Sequence, residues 1–204
     1  MPKDFFKKAL ETKPGQYFTL KNANIDIHNV ALVAMDYTGI TNADSIYPVL
    51  GTAALETCMG VALYNKKTKT LAVNHGYSHY MDRDFLEMLS KVRGSSNDLV
   101  EMHVIGGVKG DDLPMDTLAK AIFSQPNVIL KTFDIMRKSH PSAFAIDARN
   151  GRLIRGSDNT KKRGLERDYF LDAHCFPDDG FPYDDKNYMY FTAQQHSKSP
   201  SKIP

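Results

Sequence analysis

The chain has 204 residues, of which 42% are hydrophobic and 25% charged, and these values are typical of one globular domain with a substantial core. Its net charge of +2 favours neither nucleic acid nor an anionic membrane as a partner. Two cysteines are too few for a disulfide framework, so reduced thiols in an intracellular compartment are expected, with a Cys58–Cys175 bridge as the alternative. No apolar run approaches the roughly 18 residues of a membrane span.

Residues 1–14 predict a short amphipathic segment. Phe5, Phe6, Ala9 and Leu10 recur at helical spacing between lysines, and Pro14 ends the pattern. The segment lacks the continuous apolar stretch of a standard secretory signal. We therefore expect it to pack against the domain.

Residues 16–53 predict two strands followed by a loop. QYFTL (16–20) and VALVAM (30–35) are strand candidates, the second apolar enough to be buried, with a polar turn between them. Residues 36–53 contain Gly39 and Gly51 and predict a loop that leads to Thr52.

The next segment predicts a hairpin. Met59–Tyr64 and Thr70–Asn74 are two apolar runs, and a turn centred on Lys66–Lys67 would place Cys58 opposite His75. Directly opposed residues carry Cβ atoms about 4.5–5.5 Å apart. A two-residue and a four-residue loop are both compatible with this pairing.

Such a pair has a chemical use. A thiolate attacks a carbonyl, and a neighbouring imidazole can remove the thiol proton. The spacing therefore predicts a nucleophile, Cys58, beside a base, His75. The alternatives are a buried structural cysteine and a histidine that only caps a strand.

The residues after His75 predict a loop. Tyr77, Ser78 and His79 could line a substrate cleft there, or lie in an ordinary exposed loop. His75 and His79 would share one face only on a helix, and Gly76 argues against a helix. We therefore predict no metal site.

The rest of the chain predicts alternating helices and strands. Residues 157–204 are charged and rich in Pro, Gly and Asp, and end like a disordered tail, although aromatic residues at 181, 183, 188, 190 and 191 could pin them to the domain or bind a partner. Irregular alternation predicts an α+β fold with mixed sheets and outer helices. The predicted elements are helices Asp82–Arg93 and Met115–Ser124, strands Leu99–Ile105 and Val128–Phe133, and a hairpin of Ala143–Asp147 with Arg152–Arg155.

TAALETC followed by GVALYNKKTKTLAVNH resembles a segment of the CheD chemoreceptor glutamine deamidases. That family has a threonine, a Leu-Gly-Ser-Cys turn, an apolar strand and a histidine in this order. HVIGGVKG (103–110) and FAIDARNGRLIR (144–155) resemble further segments, so that the likeness spans residues 20–156. Glu56 and Ala54 stand where the family has glycine, and the chain is therefore similar to a distant member. The cytotoxic necrotizing factor toxins share this cysteine-hydrolase fold.

The resemblance implies a layered α/β/β/α fold and a catalytic domain at 15–156, between the segment 1–14 and an extension at 157–204. It implies a protein glutamine deamidase in which Cys58 is the nucleophile, His75 the base and Thr52 the orienting residue. Backbone N–H groups of Cys58 and Thr57 would form the oxyanion hole. No cofactor is implied, because protein groups and water suffice.

The expected partner is a protein substrate, and the expected state is a monomer. The expected location is the cytoplasm, or a host cytosol reached without a standard signal peptide, as for a bacterial effector. Two alternatives stay open. Glu56 near the thiol could mark an inactive binding module of the same fold, and a cysteine protease or transglutaminase would use the same acyl-enzyme.

Overall fold

The computed structural model describes residues 16–55, 58–76, 81–106, 122, 124–135, 143–155, 173–176 and 188–191. The segment 1–14, the loop with Tyr77, Ser78 and His79, the backbone of Thr57 and nearly all of the helix predicted at 115–124 lie outside these residues.

The described residues form an α+β fold with twelve strands in two mixed sheets. A short helix α1 (Leu20–Ala23), a 3-10 turn (Ile27–Asn29) and a longer helix α2 (Met81–Val92) accompany the sheets. The strands are β1 (Tyr17–Phe18), β2 (Val30–Val33), β3 (Thr38–Asn42), β4 (Val49–Ala53), β5 (Met59–Asn65), β6 (Thr70–Gly76), β7 (Val100–Gly106), β8 (Val128–Ile135), β9 (Ala143–Asp147), β10 (Arg152–Arg155), β11 (His174–Phe176) and β12 (Tyr188–Tyr190).

Each sheet has six strands. The first sheet has the order β1-β10-β9-β4-β2-β11, with antiparallel pairs on both sides of β9 and parallel pairs elsewhere. The second sheet has the order β12-β3-β6-β5-β7-β8, in which only the two edge pairs are parallel. The predicted mixed α+β class is confirmed.

The sheets pack face to face over a shared core. Leu50 and Phe144 of the first sheet are fully buried against Ala62, Leu71 and Val73 of the second. Full burial of a large apolar side chain contributes about 1.5–3 kcal/mol. This inner layer is where the predicted catalytic residues lie.

Helix α2 covers the outer face of the second sheet. Its buried residues Phe85, Met88, Leu89 and Val92 follow the i, i+3, i+4, i+7 spacing of an amphipathic helix. The prediction of a helix at 82–93 is confirmed, and the predicted strands at 99–105, 128–133, 143–147 and 152–155 are found within a few residues of their expected bounds.

The prediction of a loop at 36–53 is wrong, because this stretch contains β3 and β4. Glycines normally weaken strands, but here two of them allow close packing. A Cβ at Gly51 would lie 2.2 Å from the Phe144 carbonyl oxygen, and one at Gly39 would lie 2.7 Å from Cγ2 of Val33. The strand predicted at 16–20 is also shorter, since Thr19 Oγ1 accepts from the Asn22 N–H at 3.1 Å and caps α1.

The β5–β6 register differs by two residues from the predicted one. Gly60 pairs with His75, and Asn65 pairs with Thr70 across a four-residue loop. Asn65 Oδ1 fixes this loop by accepting from the backbone N–H of Lys67 at 2.9 Å and of Thr68 at 3.3 Å. Cys58 is therefore not directly opposite His75.

Two strands from the C-terminal part of the chain complete the sheets. β11 pairs with β2 and β12 with β3, each in parallel. Lys91 Nζ on α2 donates to the hydroxyl of Tyr190 at 2.6 Å, and Phe191 is fully buried in the core. No helix among the described residues is long and apolar enough to cross a membrane.

Candidate active site

Thr52 and His75 meet in the inner layer, at one end of the two sheets. Thr52 lies on β4 of the first sheet and His75 on β6 of the second, and both side chains are buried. Thr52 Oγ1 lies 2.6 Å from His75 Nδ1 and 2.8 Å from the carbonyl oxygen of Val33. The contact joins the two sheets.

The hydrogen bonds of Thr52 define the proton on His75. A carbonyl oxygen only accepts, so the Thr52 hydroxyl donates its single proton to Val33. Thr52 Oγ1 must then accept from His75, which places the histidine proton on Nδ1. The lone pair of the neutral imidazole is consequently on Nε2.

His75 Nε2 is available as a base. It is buried and has no hydrogen-bond partner among the described residues. Burial lowers the pKa of His75 below its usual range, because the charged form loses solvation, while the Asp36 carboxylate and the Val33 carbonyl act in the opposite direction. The neutral, proton-accepting form therefore dominates at pH 7.

Cys58 stands one residue before β5. Because Gly60 pairs with His75, Cys58 precedes the residue opposite His75 by two positions. The thiol is 6% exposed, and its Sγ lies 3.7 Å from Sδ of Met35, whose side chain is 51% exposed. The nucleophile candidate is thus buried beneath an accessible thioether.

The turn before Cys58 is held against the end of β7. Gly106 has a φ of 99°, and a Cβ there would lie 2.6 Å from the Cys58 carbonyl oxygen and 2.8 Å from Leu55 Cβ. Glycine is required at this position by both the backbone conformation and the close approach. Ala54, which stands where the resembled family has glycine, has a φ of 63°, in the left-handed region that disfavours a side chain.

A second turn, residues 34–37, joins β2 to β3 on the other side of the site. The N–H of Tyr37 donates to the Ala34 carbonyl at 3.2 Å, and the N–H of Asp36 donates to the His75 carbonyl at 2.8 Å. Met35 and Asp36 are exposed, and Asp36 has a φ of 69°. The sequence analysis did not identify either residue, because no sequence pattern marks an exposed Met-Asp pair as functional. Only the packing of the two sheets places this pair near the cysteine.

The structure brings together Thr52 and His75, and places Cys58 beside them. The other predicted site residues lie outside the part of the chain that the structure describes, namely Tyr77, Ser78, His79 and the backbone of Thr57. Within the described part of the chain, no group of three or more His, Cys, Asp or Glu residues could hold a metal ion. The arrangement of a thiol, an imidazole and an orienting hydroxyl suits nucleophilic attack on a carbonyl.

Comparison with known proteins identifies the family. The family model described as protein N-terminal asparagine amidohydrolase matches residues 23–141, which include Thr52, Cys58 and His75. No curated protein matches the chain. The prediction of a protein deamidase is confirmed at the level of the family, whereas a specifically CheD-like identity and a preference for glutamine stay predictions. The chain belongs to the protein N-terminal asparagine amidohydrolase family, a family of protein deamidases.

Proposed function

We propose that this protein hydrolyses the side-chain carboxamide of an asparagine at the N-terminus of a protein substrate, with Cys58 as nucleophile, His75 as base and Thr52 as the residue that orients His75. The observation that carries the proposal is the hydrogen bond between Thr52 Oγ1 and His75 Nδ1 at 2.6 Å, together with the family match. This bond leaves Nε2 to accept a proton.

The first half of the reaction forms an acyl-enzyme. His75 Nε2 takes the thiol proton, and Cys58 Sγ attacks the carboxamide carbon to give a tetrahedral oxyanion. The imidazolium then returns the proton to the departing nitrogen. Ammonia leaves, the C–N bond breaks, and a thioester remains on Cys58.

The second half consumes one water. His75 Nε2 removes a proton from the water, hydroxide adds to the thioester carbon, and the C–S bond breaks with reprotonation of the thiol. The net reaction converts a carboxamide and water into a carboxylate and ammonium. Throughout, Thr52 Oγ1 holds Nδ1–H and stabilises the imidazolium.

Glutamine, which the resemblance to CheD predicts as substrate, differs from asparagine by one methylene group. A hydrophobic pocket discriminates one methylene by only about 10–200-fold. Both side chains should therefore be compared directly. The asparagine preference rests on the family match, and the glutamine preference rests on the resemblance of residues 52–75.

The decisive experiment uses peptides that begin with Asn or Gln and peptides that carry the same residue internally. Each is incubated with the wild type, Cys58→Ala and Cys175→Ala, and its mass is measured. Conversion of carboxamide to carboxylate adds about one dalton through the thioester route. We expect this gain with the N-terminal Asn peptide, its loss in Cys58→Ala and its retention in Cys175→Ala.

The same experiment separates the alternatives. A cleaved peptide would assign the acyl-enzyme to a protease, and a product joined to an added amine would assign it to a transglutaminase. No product from any peptide, combined with a Cys58 that iodoacetamide does not alkylate faster than Cys175, would contradict the enzyme and leave an inactive binding module.

A further inference from the structure

The turn at 34–37 puts a carboxylate at the rim of the proposed catalytic site. Met35 contacts the proposed nucleophile, with its Sδ 3.7 Å from Cys58 Sγ. The N–H of the next residue, Asp36, donates to the backbone carbonyl of His75. Asp36 is exposed to solvent, whereas Thr52, Cys58 and His75 are buried. The turn that carries this carboxylate therefore adjoins the buried thiol through Met35.

An N-terminal asparagine brings a positive charge close to the reacting sulfur. Its α-ammonium is only three bonds from the carboxamide carbon, which must come within about 3–3.5 Å of the attacking sulfur. The positive charge of the substrate is therefore held within a few ångströms of Cys58 Sγ. An internal asparagine brings no charge to this place.

The position of Asp36 relative to the reacting atoms follows from two contacts. Its N–H donates to the His75 carbonyl at 2.8 Å, while the preceding side chain contacts Cys58. Asp36 therefore bonds the backbone of His75 directly, and in sequence it adjoins the residue whose side chain contacts Cys58. The charge of the carboxylate also raises the pKa of His75, against the larger effect of burial, because it favours the imidazolium.

We propose that the carboxylate of Asp36 binds the α-ammonium group of the substrate and so makes the enzyme selective for an N-terminal residue over an internal one. This inference rests on the proposed function, because it names the group that recognises the substrate of the same site. Asp36 acts in substrate recognition and moves no proton in the reaction.

The backbone conformation of Asp36 allows a clean test. Asparagine adopts the left-handed region as readily as aspartate, so Asp36→Asn removes the charge without straining the turn at φ 69°. Asp44→Asn is the matched control. Asp44 is exposed in the turn after Asn42, at the opposite end of β3 from Asp36, so the control removes the same charge away from the site.

The experiment measures kcat/KM for one Asn-initiated peptide with a free α-amino group and for the same peptide with an acetylated α-amino group. The wild type and Asp44→Asn should both prefer the free peptide strongly. Asp36→Asn should lower kcat/KM for the free peptide by about 10–100-fold relative to that for the acetylated peptide, because any change in the basicity of His75 affects both peptides alike. The preference for a free N-terminus should therefore shrink in Asp36→Asn only.

Other outcomes overturn the inference without touching the proposed function. These are a wild type that hydrolyses both peptides equally, and an Asp36→Asn variant that keeps the full preference. If the wild type hydrolyses neither peptide, the proposed function fails, and recognition is then measured as binding of both peptides to Cys58→Ala. Equal affinities for the two peptides, or affinities that Asp36→Asn does not change, would contradict the role of Asp36.

Discussion

A single hydroxyl proton decides which nitrogen of His75 can act as a base. Thr52 donates that proton to Val33 and accepts from Nδ1, so in the proposed mechanism it has the role that a carboxylate or amide has in many thiol and serine hydrolases. A threonine is a weaker partner than an aspartate, because it carries no charge to stabilise the imidazolium. In the proposed mechanism it contributes orientation, the choice of tautomer and one neutral hydrogen bond to the imidazolium.

Replacing Thr52 by valine should expose this role. Valine keeps the shape but removes the hydroxyl that bonds both Nδ1–H and the Val33 carbonyl, and we expect kcat to fall by about 10–100-fold. Thr52→Ser keeps the hydroxyl and should retain most of the activity. Steady-state kinetics of the two variants on the same Asn-initiated peptide provide the measurement.

The pH dependence of kcat/KM shows whether Thr52 acts through its hydrogen bond to His75 or only by filling space. Because burial lowers the pKa of His75, the wild type should lose kcat/KM only as the pH falls below the usual histidine pKa of about 6.5. An imidazolium without the Thr52 acceptor is less stable, so the acidic limb of Thr52→Val should move to lower pH. A limb that stays in place would mean that Thr52 only fills space.

At the scale of elements, the β5–β6 hairpin and β4 must approach closely to form the site. Gly60, which pairs with His75, makes this possible. A Cβ at this position would lie 2.4 Å from Cε1 of Phe144 and 3.1 Å from Cγ2 of Thr52. The glycine therefore allows the two sheets to touch where the proposed catalytic residues meet.

Gly60→Ala should push the sheets apart at the site. We expect a loss of about 1–3 kcal/mol in the free energy of unfolding, typical of overpacking in a tight core, and a larger relative loss of activity. The double variant Gly60→Ala, Phe144→Leu removes the clashing ring atoms and should recover part of both. Denaturant unfolding and peptide turnover of both variants test this, and additive effects would contradict the contact.

Hairpin geometry also shows how far sequence reasoning reaches. The two apolar runs predicted both strands, and an error of two residues in register does not move a side chain to the other face. Cys58 and His75 were therefore expected on the same side of the sheet, although not with this offset in register. The loop length depended on the Asn65 side chain, whose bonds to Lys67 and Thr68 are not evident from hydrophobic pattern.

Across the whole molecule, elements with strong periodicity were predictable and elements that depend on tertiary contacts were not. Helix α2 was predicted from its apolar spacing, and the β9–β10 hairpin from Asn-Gly. β3 and β4 were read as a loop because their glycines look like breaks until Val33 and Phe144 are packed on them. The Thr52–His75 contact follows from the resemblance, and Asp36 required the fold.

Burial of a second histidine predicts how stability depends on pH. His103 on β7 donates or accepts through Nδ1 with Thr132 Oγ1 at 3.0 Å, and burial, aided by the charge of Lys131, lowers its pKa to about 4. Below about pH 6.5, the usual histidine pKa in the unfolded chain, the unfolded chain binds the proton more readily than the folded protein. The contribution of neutral His103 to the free energy of unfolding is therefore fully present above that pH and is lost as the pH falls toward 4.

We expect His103 to contribute about 3 kcal/mol to the fall in unfolding free energy between pH 7 and pH 4. His103→Asn, whose amide can replace Nδ1 toward Thr132, should flatten this slope, although the lowered pKa of His75 maintains part of it. His28→Asn, at an exposed histidine, serves as the control and should leave the slope unchanged. Urea denaturation at both pH values is the measurement, and equal slopes in all three proteins would contradict the prediction.

Because Thr52 and Val33 belong to one sheet and His75 to the other, the position of a single ring proton depends on the tertiary structure. A free imidazole in water exchanges between tautomers, and nothing on β6 alone would hold the proton on Nδ1. The nitrogen chemical shifts of His75 should therefore report directly whether the sheets are joined. A partly folded chain with both strands formed but the sheets separated would keep its cysteine and its histidine, and it would lose the hydrogen bonds that leave Nε2 as the accepting nitrogen.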